Sequence, residues 1–146
     1  MTAQMVGVDL RAGEYLVCAY SKTAQGIWVL DGAPDRLPAD SPAAELGAAV
    51  DNALRRSRLG VVDLTRDSEP ARPLLDLLGL PDFATYAKGT RSVEVYRDGD
   101  DVEVTPRRND GPRRGFTPLD EDMTTLSAAS ADRLGAEVIT AFEKAL

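Results

Sequence analysis

One stretch of this chain occurs twice: residues 45–54 read ELGAAVDNAL, and residues 133–142, 88 positions later, read RLGAEVITAF. Both copies contain Leu-Gly-Ala and a helical spacing of apolar residues, and each has a serine-rich start and follows a segment with the pattern of β-strands. A repeat of this kind predicts two related halves, each a set of strands closed by one helix. The polar positions of the two copies share no chemistry, so the repeat describes a scaffold and identifies no active site.

Both copies fit amphipathic helices. We expect Ser41 to cap the first helix, Pro42 to occupy its first position and Gly60 to stop it. Its apolar face consists of Leu46, Ala49, Val50, Ala53 and Leu54. The second helix is expected to open near Ser130. Its apolar face consists of Leu134, Val138, Ala141, Phe142 and Ala145.

Segments rich in branched and aromatic residues, several of them alternating apolar and polar, predict strands before each helix. The predicted strands are residues 5–9, 15–21, 27–30, 92–96, 102–105 and 123–127, and residues 61–64 fit a further short strand. Residues 97–101 predict the turn of a β-hairpin. Residues 31–40, which contain two prolines, predict a loop. Short helices are expected within residues 70–80, bounded by Pro73 and Pro81, and at 83–86.

This order of elements predicts an α+β fold with antiparallel β-sheets. Two pseudo-repeated β-meander-plus-helix units, roughly residues 1–60 and 83–146, are expected to share one core within a single domain of residues 1–146. The plan is similar, at the level of the fold, to the Whirly class of duplicated ββββα folds. That analogy carries no function.

Composition limits the classes of function. The net charge of −7 repels the phosphate backbone of nucleic acids and attracts cationic surfaces. The alternative is that the acidic residues only keep the protein soluble. The chain has no histidine, which excludes catalytic triads that use imidazole and zinc sites with histidine ligands. One cysteine, no apolar run long enough to cross a bilayer and no secretion signal in the first residues predict a cytoplasmic protein.

Two charged clusters stand out. The first, at the predicted hairpin tip, comprises Asp98, Asp100, Asp101 and Glu103. It fits a solvated turn, an acidic surface for a basic partner or a hard-cation site, but the spacing of a calcium-binding loop is absent. The second comprises Arg107, Arg108, Arg113 and Arg114. We interpret it as an exposed loop that neutralises acidic neighbours, with phosphate contact as the alternative.

No motif for catalysis or for a phosphate-bearing cofactor is present. The sequence lacks the glycine-rich patterns GxGxxG and GxxxxGK[ST]. Cys18 lies in the middle of a predicted strand, where burial would raise its pKa and keep it inert. Trp28 and Tyr20 are expected in the core or on the sheet surface. Asp9 and Glu14 have no partner that spacing identifies.

Four segments of the second half form a recognisable set: residues 83–95 (FATYAKGTRSVEV), 102–109 (VEVTPRRN), 114–119 (RGFTPL) and the closing helix at 130–142. With these segments the chain resembles the immunity proteins of contact-dependent growth inhibition systems. The earlier helix at 45–58 fits the same family, so the resemblance covers about residues 41–58 and 83–146. The RGFTPL piece is the most distinctive, whereas the helices are compatible with many folds.

The resemblance implies a protein with no catalytic role, no cofactor and no metal. Such a protein forms a heterodimer with the C-terminal toxin domain of a cognate effector, often a nuclease, and neutralises it by covering the active site or blocking access to substrate. An acidic inhibitor would associate rapidly with the cationic surface that a nuclease needs. The predicted toxin contacts are Asp98, Asp100, Asp101, Asp110, Arg114, Phe116, Asp120, Glu121 and Asp122, with Arg114 and Phe116 as anchors.

Two other classes of function stay open from the residues. A single-stranded nucleic-acid-binding module on a Whirly-like scaffold would place aromatic and basic residues on an open sheet face, and 5% aromatic residues weighs against it. A small enzyme that uses carboxylates would need a deep pocket into which Asp or Glu side chains converge.

Overall fold

A computed structural model describes residues 3–146, so Met1 and Thr2 lie outside the described residues. The first unit has four strands and a helix: β1 Ala3–Arg11, β2 Glu14–Thr23, β3 Trp28–Leu30, β4 Asp35–Pro38 and α1 Ala43–Arg56. An insertion follows, with β5 Leu59–Val61, α2 Arg72–Leu78 and α3 Phe83–Ala87. The second unit repeats the order of the first: β6 Arg91–Asp98, β7 Asp101–Asn109, β8 Phe116–Pro118, a 3₁₀ turn Asp120–Asp122, β9 Thr124–Ser127 and α4 Ala131–Phe142.

The strands form one nine-stranded sheet in which the two units meet through β1 and β6. These two strands are antiparallel, with Val6 opposite Val95. On the far side of β1, β2 pairs with β3 and β4; on the far side of β6, β7 pairs with β8 and β9. All pairs are antiparallel except that of β5 with β2, which is parallel. The predicted α+β class and the repeated strand-and-helix unit are therefore confirmed.

Both long helices pack on one face of the sheet, which we call the inner face. Alternation along the central strands directs small branched side chains of β1, β6 and β7 into a core with α1 and α4. The fully buried members include Val6, Val8, Val93, Val95, Leu46, Val50, Leu54 and Val138. Phe142 closes one end of this core against Tyr15, with ring centroids 5.6 Å apart.

The glycines of the repeated stretch lie where α1 crosses α4. A Cβ atom on Gly47 would be 1.8 Å from the carbonyl oxygen of Ala131, and one on Gly135 would be 1.8 Å from that of Ala43. No Cβ atom fits at such distances, so in both places a glycine hydrogen faces the carbonyl oxygen of the other helix. The glycine of each repeated Leu-Gly-Ala thus makes the same contact: Gly47 of α1 faces α4, and Gly135 of α4 faces α1.

Three local predictions are wrong. Ser41 does not cap α1; its hydroxyl donates to the Pro38 carbonyl oxygen at 2.7 Å, and the helix begins at Ala43 after Pro42. Residues 31–40 are not all loop, since β4 pairs with the first half of β2. Pro73 does not bound α2 from outside but lies in its first turn, a position at which the missing N–H removes no helical hydrogen bond.

Other local predictions are confirmed or shifted slightly. Ser130 caps α4 by accepting a hydrogen bond from the Arg133 amide at 3.3 Å. The hairpin predicted around residues 97–101 is present, and its strands extend further than expected because Asp98 pairs with Asp101 across a two-residue turn. The short strand predicted at 61–64 lies instead at Leu59–Val61.

The insertion covers part of the opposite, outer face of the sheet. Helices α2 and α3 pack on the even-numbered residues of β2 and form a second apolar cluster of Leu16, Cys18, Leu74, Leu75 and Tyr86. Cys18 is buried there, and burial raises the pKa of its thiol, as expected for an inert cysteine. None of the helices within residues 3–146 has the length and hydropathy that crossing a bilayer requires.

A buried carboxyl group links the insertion to the centre of the sheet. Asp9 on β1 accepts hydrogen bonds from the Tyr86 hydroxyl of α3 and from the Ser92 hydroxyl of β6, the latter at 2.6 Å. Burial raises the pKa of Asp9, and the two hydrogen bonds and the charge of Arg107 offset this only in part. Asp9 therefore has partners that the sequence did not identify, since they lie 77 and 83 residues away.

We expect Gly135→Ala to lower the free energy of unfolding by about 2 kcal/mol or more, because a methyl group at the crossing forces the helices apart. Chemical denaturation of the purified variant measures this. Ala136→Gly, at the exposed neighbouring position, is the matched control and should cost only about 1 kcal/mol through helix propensity. A Gly135→Ala variant more stable than the wild type would contradict the close crossing.

The pKa of Asp9 gives a second prediction, with Asp82 as a control of opposite sign. A carboxyl with a raised folded-state pKa keeps its proton after the unfolded chain has lost it near pH 3.9, so its contribution to stability is lost as pH rises through the folded-state value. The Asp82 carboxylate caps α3 by accepting the Thr85 amide at 2.9 Å, which lowers its pKa, so its contribution is lost as pH falls.

The free energy of unfolding of the wild type, relative to Asp9→Asn, should therefore fall as pH rises above about 3.9, the unfolded-state pKa. Relative to Asp82→Asn it should rise as pH increases toward about 3.9 and level off above that value. Urea unfolding followed by Trp28 fluorescence at several pH values measures both differences. Slopes of the same sign for the two variants would show that the buried Asp9 does not hold its proton as described.

Candidate functional site

The outer face of the sheet is accessible at the hairpin end of β6 and β7, and we call this region the open face. It is formed by side chains that project from β6, β7 and β9 and from the ends of β2 and β3. They are Lys22, Trp28, Tyr96, Asp98, Asp101, Glu103 and Thr125. This surface brings two of the predicted contact residues at the hairpin tip, Asp98 and Asp101, together with aromatic side chains from both units.

The register of three strands places these side chains on one face. Tyr96 on β6 is directly opposite Glu103 on β7, and Glu103 is directly opposite Thr125 on β9. Directly paired residues project to the same side of a sheet. The two-residue turn Gly99-Asp100 fixes this register, and Gly99 adopts the positive φ of 64° that the turn requires.

An aromatic pair joins the two units across the open face. Trp28 of β3 and Tyr96 of β6 meet edge to face, with ring centroids 6.3 Å apart and an interplanar angle of 90°. The Lys22 ammonium group lies 5.7 Å from the centre of the Trp28 ring. Both rings are half-buried, so each retains exposed surface. Trp28 therefore lies on the sheet surface, one of the two places expected for it.

Two depressions on the open face meet at Tyr96 and Asp98. One has a volume of about 500 Å³ and extends from these residues past Ala3 to the β2–β3 turn. The other has a volume of about 260 Å³ and extends past Asp101 and Glu103 to Thr125. Both are lined by Tyr96 and Asp98, so they adjoin at these residues, and together they extend across β2, β1, β6, β7 and β9. We refer to the two together as the cross-strand groove.

The smaller end of this groove is acidic. Within residues 3–146, the carboxylates of Asp98, Asp101 and Glu103 form no ion pair and accept no hydrogen bond from another side chain. Tyr96 provides an aromatic wall beside them. Unpaired carboxylates next to a π face suit a cationic group.

Arg107 is buried in the outer face and does not belong to an exposed loop, so that prediction is wrong at its first residue. It is 5% exposed, donates to Glu94 at 2.8 Å and lies 5.8 Å from the centre of the Tyr20 ring. Gly7 makes room for this arrangement, since a Cβ atom there would be 2.9 Å from the Tyr20 ring. No pattern in the sequence predicted this burial, because the strand predicted from it ends at residue 105.

Three of the predicted contacts lie at the other end of β7. The Asp110 carboxylate accepts hydrogen bonds from Arg108 at 2.7 Å and from Thr117, and these bonds lower its pKa. Arg114 is exposed in the turn before β8. Phe116 packs edge to face on Phe83 of the insertion, with centroids 6.5 Å apart, and is half-buried.

The remaining contacts, Asp120, Glu121 and Asp122, form the 3₁₀ turn between β8 and β9. Asp122 lies 3.8 Å from the Lys144 ammonium group near the end of the chain. The nine predicted residues thus form three groups, and the first two are separated by the length of β7, about 26 Å at 3.3 Å per residue. One partner would have to span that distance to touch both groups.

The described part of the chain, residues 3–146, contains no group of three or more Cys, Asp or Glu side chains arranged to hold a metal ion. The Asp98, Asp101 and Glu103 cluster is spread along an open groove.

Comparison by sequence finds no matching family model and no matching curated protein. Comparison by structure finds similar folds. A protein of unknown function from Neisseria meningitidis is 22% identical, with a TM-score of 0.80 over 98% of this chain and 95% of that one. A chain of the CdiA-CT/CdiI toxin and immunity complex from Yersinia pseudotuberculosis is 18% identical, with a TM-score of 0.79 over 99% of this chain and 98% of that one. The chain therefore shares its whole fold with a component of a toxin and immunity complex.

Proposed function

We propose that this protein is an immunity protein that binds and neutralises the C-terminal toxin domain of a cognate contact-dependent growth inhibition effector. The observation that carries the proposal is the likeness, over nearly the full length of both chains, to a component of the CdiA-CT/CdiI complex. The sequence resemblance in residues 41–58 and 83–146 points to the same family independently. The two lines agree on the second unit, where the open face lies.

The charge of the molecule suits a cationic toxin. The net charge is −7, and three carboxylates on the open face are without an ionic partner among the described residues. An enzyme that holds a phosphate backbone needs a cationic surface, so we propose a nuclease as the toxin. Electrostatic steering would then speed association and make it dependent on salt.

In this proposal the protein acts in the cytoplasm as a one-to-one inhibitor and catalyses no reaction. Neutralisation follows from occupancy of the toxin surface, which either covers the active site or prevents access to substrate.

Single-stranded nucleic acid is a weaker candidate for the partner. The half-buried rings of Trp28 and Tyr96 would stack on bases, as such modules require. The carboxylates beside them would repel the phosphates, and the buried Arg107 contributes no exposed cation. We therefore favour a protein partner.

Co-expression tests the proposal. The probe is the C-terminal domain of the protein encoded immediately upstream of this chain, which the proposal expects to be a large secreted effector. We expect the two to co-elute as a one-to-one complex in size-exclusion chromatography, and cells that produce both to grow at the normal rate. Cells that produce the toxin domain alone, or with a non-cognate immunity protein, should stop growing and serve as controls. Separate elution, or death of the co-expressing cells, would contradict the proposed function.

A further inference from the structure

We propose that the cross-strand groove is the docking site for a cationic loop of the toxin and that its acidic end receives an arginine side chain. This inference rests on the proposed function and goes beyond it by naming one surface and the chemistry of its occupant. The groove crosses five neighbouring strands, a span of about 19 Å at 4.8 Å per strand, which suits a loop or an extended segment.

The first argument is the asymmetry of the outer face. The two units are built alike, yet α2 and α3 lie over one end of the outer face, where they pack on β2, Tyr86 bonds to Asp9 and Phe83 packs on Phe116. At the hairpin end Tyr96, Asp98 and Glu103 are half-buried and Asp101 is exposed, and the Trp28 ring beside Tyr96 also retains exposed surface. A sheet face that retains aromatic surface is typical of a binding surface.

The second argument is charge complementarity. Several carboxylates of the sheet and its helices are held by arginine, as Glu94 is by Arg107, Asp51 by Arg55 and Arg97, and Asp31 by Arg58. The three carboxylates at the acidic end, Asp98, Asp101 and Glu103, lack such a partner within residues 3–146. From two strands they line a space of about 260 Å³, and their charge is complementary to a cation of another molecule.

The third argument concerns the kind of cation. A guanidinium group donates from several N–H groups in one plane, so it can bridge the carboxylates of neighbouring strands. The same plane can stack on an aromatic ring, and Tyr96 lies against the acidic end. A lysine ammonium group is a compact charge that offers no such planar match, so arginine fits this site better. At the other end of the groove Lys22 lies over the Trp28 ring and gives that end a positive charge.

The test uses two isosteric changes, Asp101→Asn with Glu103→Gln, which remove two charges from the acidic end with little change in shape. Glu143→Gln is the control, since Glu143 is exposed at the end of α4 on the opposite side of the sheet. The probe is the upstream toxin domain described above. Its dissociation constant is measured by calorimetry at low and physiological salt, and thermal unfolding checks that each variant is folded.

We expect the double variant to raise the dissociation constant by about tenfold or more and to reduce its salt dependence, because a charge pair buried at an interface is lost. Glu143→Gln should change it by less than about twofold. Trp28 is the single tryptophan of the chain and lies in the groove region, so toxin binding should also change its emission. Tryptophan residues of the toxin domain are replaced by phenylalanine, so that the measured emission comes from Trp28 alone.

Each outcome decides a different point. If the wild-type protein fails to bind the toxin domain, the proposed function is wrong and this inference falls with it. If the wild type binds but the double variant binds equally well, the function stands and the groove is not the docking site. If a single-stranded oligonucleotide shifts Trp28 emission at low salt more strongly than the toxin does, the occupant is a nucleic acid and the inference is overturned.

Discussion

Two glycine residues allow the backbones of α1 and α4 to touch, and the rest of the structure depends on that contact. At Gly47 and Gly135 each helix presents a hydrogen to a carbonyl oxygen of the other, where a methyl group would collide. The short separation brings the apolar faces of both helices onto the same central strands, β1 and β6. One core then serves both units, and each unit buries the apolar surface that it could not bury alone.

The insertion breaks the equivalence of the two units. It adds two short helices on the outer face above β2, and it places Tyr86 on the buried carboxyl group of Asp9. At the hairpin end of β6 and β7 the same face stays accessible, and its residues there carry charge. The inner face therefore holds the two units together, whereas the two ends of the outer face differ in how much of their surface is accessible.

The sequence predicted the elements whose information is local. Apolar residues at helical spacing identified both long helices, and Asp98-Gly99-Asp100 identified a hairpin turn. The sequence-based prediction failed where the local structure depends on residues that are distant in the chain. Strand β4 has no alternating pattern and exists because β2 offers hydrogen bonds, and Arg107 is buried because Gly7, Tyr20 and Glu94 leave a site for it. The acidic hairpin tip was predicted from the sequence. That Tyr96 and Trp28 lie beside it follows from the pairing of the strands, which the sequence did not predict.

The separation of the two faces of β6 and β7 has a consequence for how this molecule can change over time. On these strands alternate residues serve different purposes: Val93, Val95, Val102 and Val104 are buried beneath the helices, while Tyr96 and Glu103 face outward. A substitution at an outward position leaves the interior undisturbed and so has little effect on folding. The outward positions can therefore change while the architecture is kept, in agreement with a topology shared at 18–22% identity.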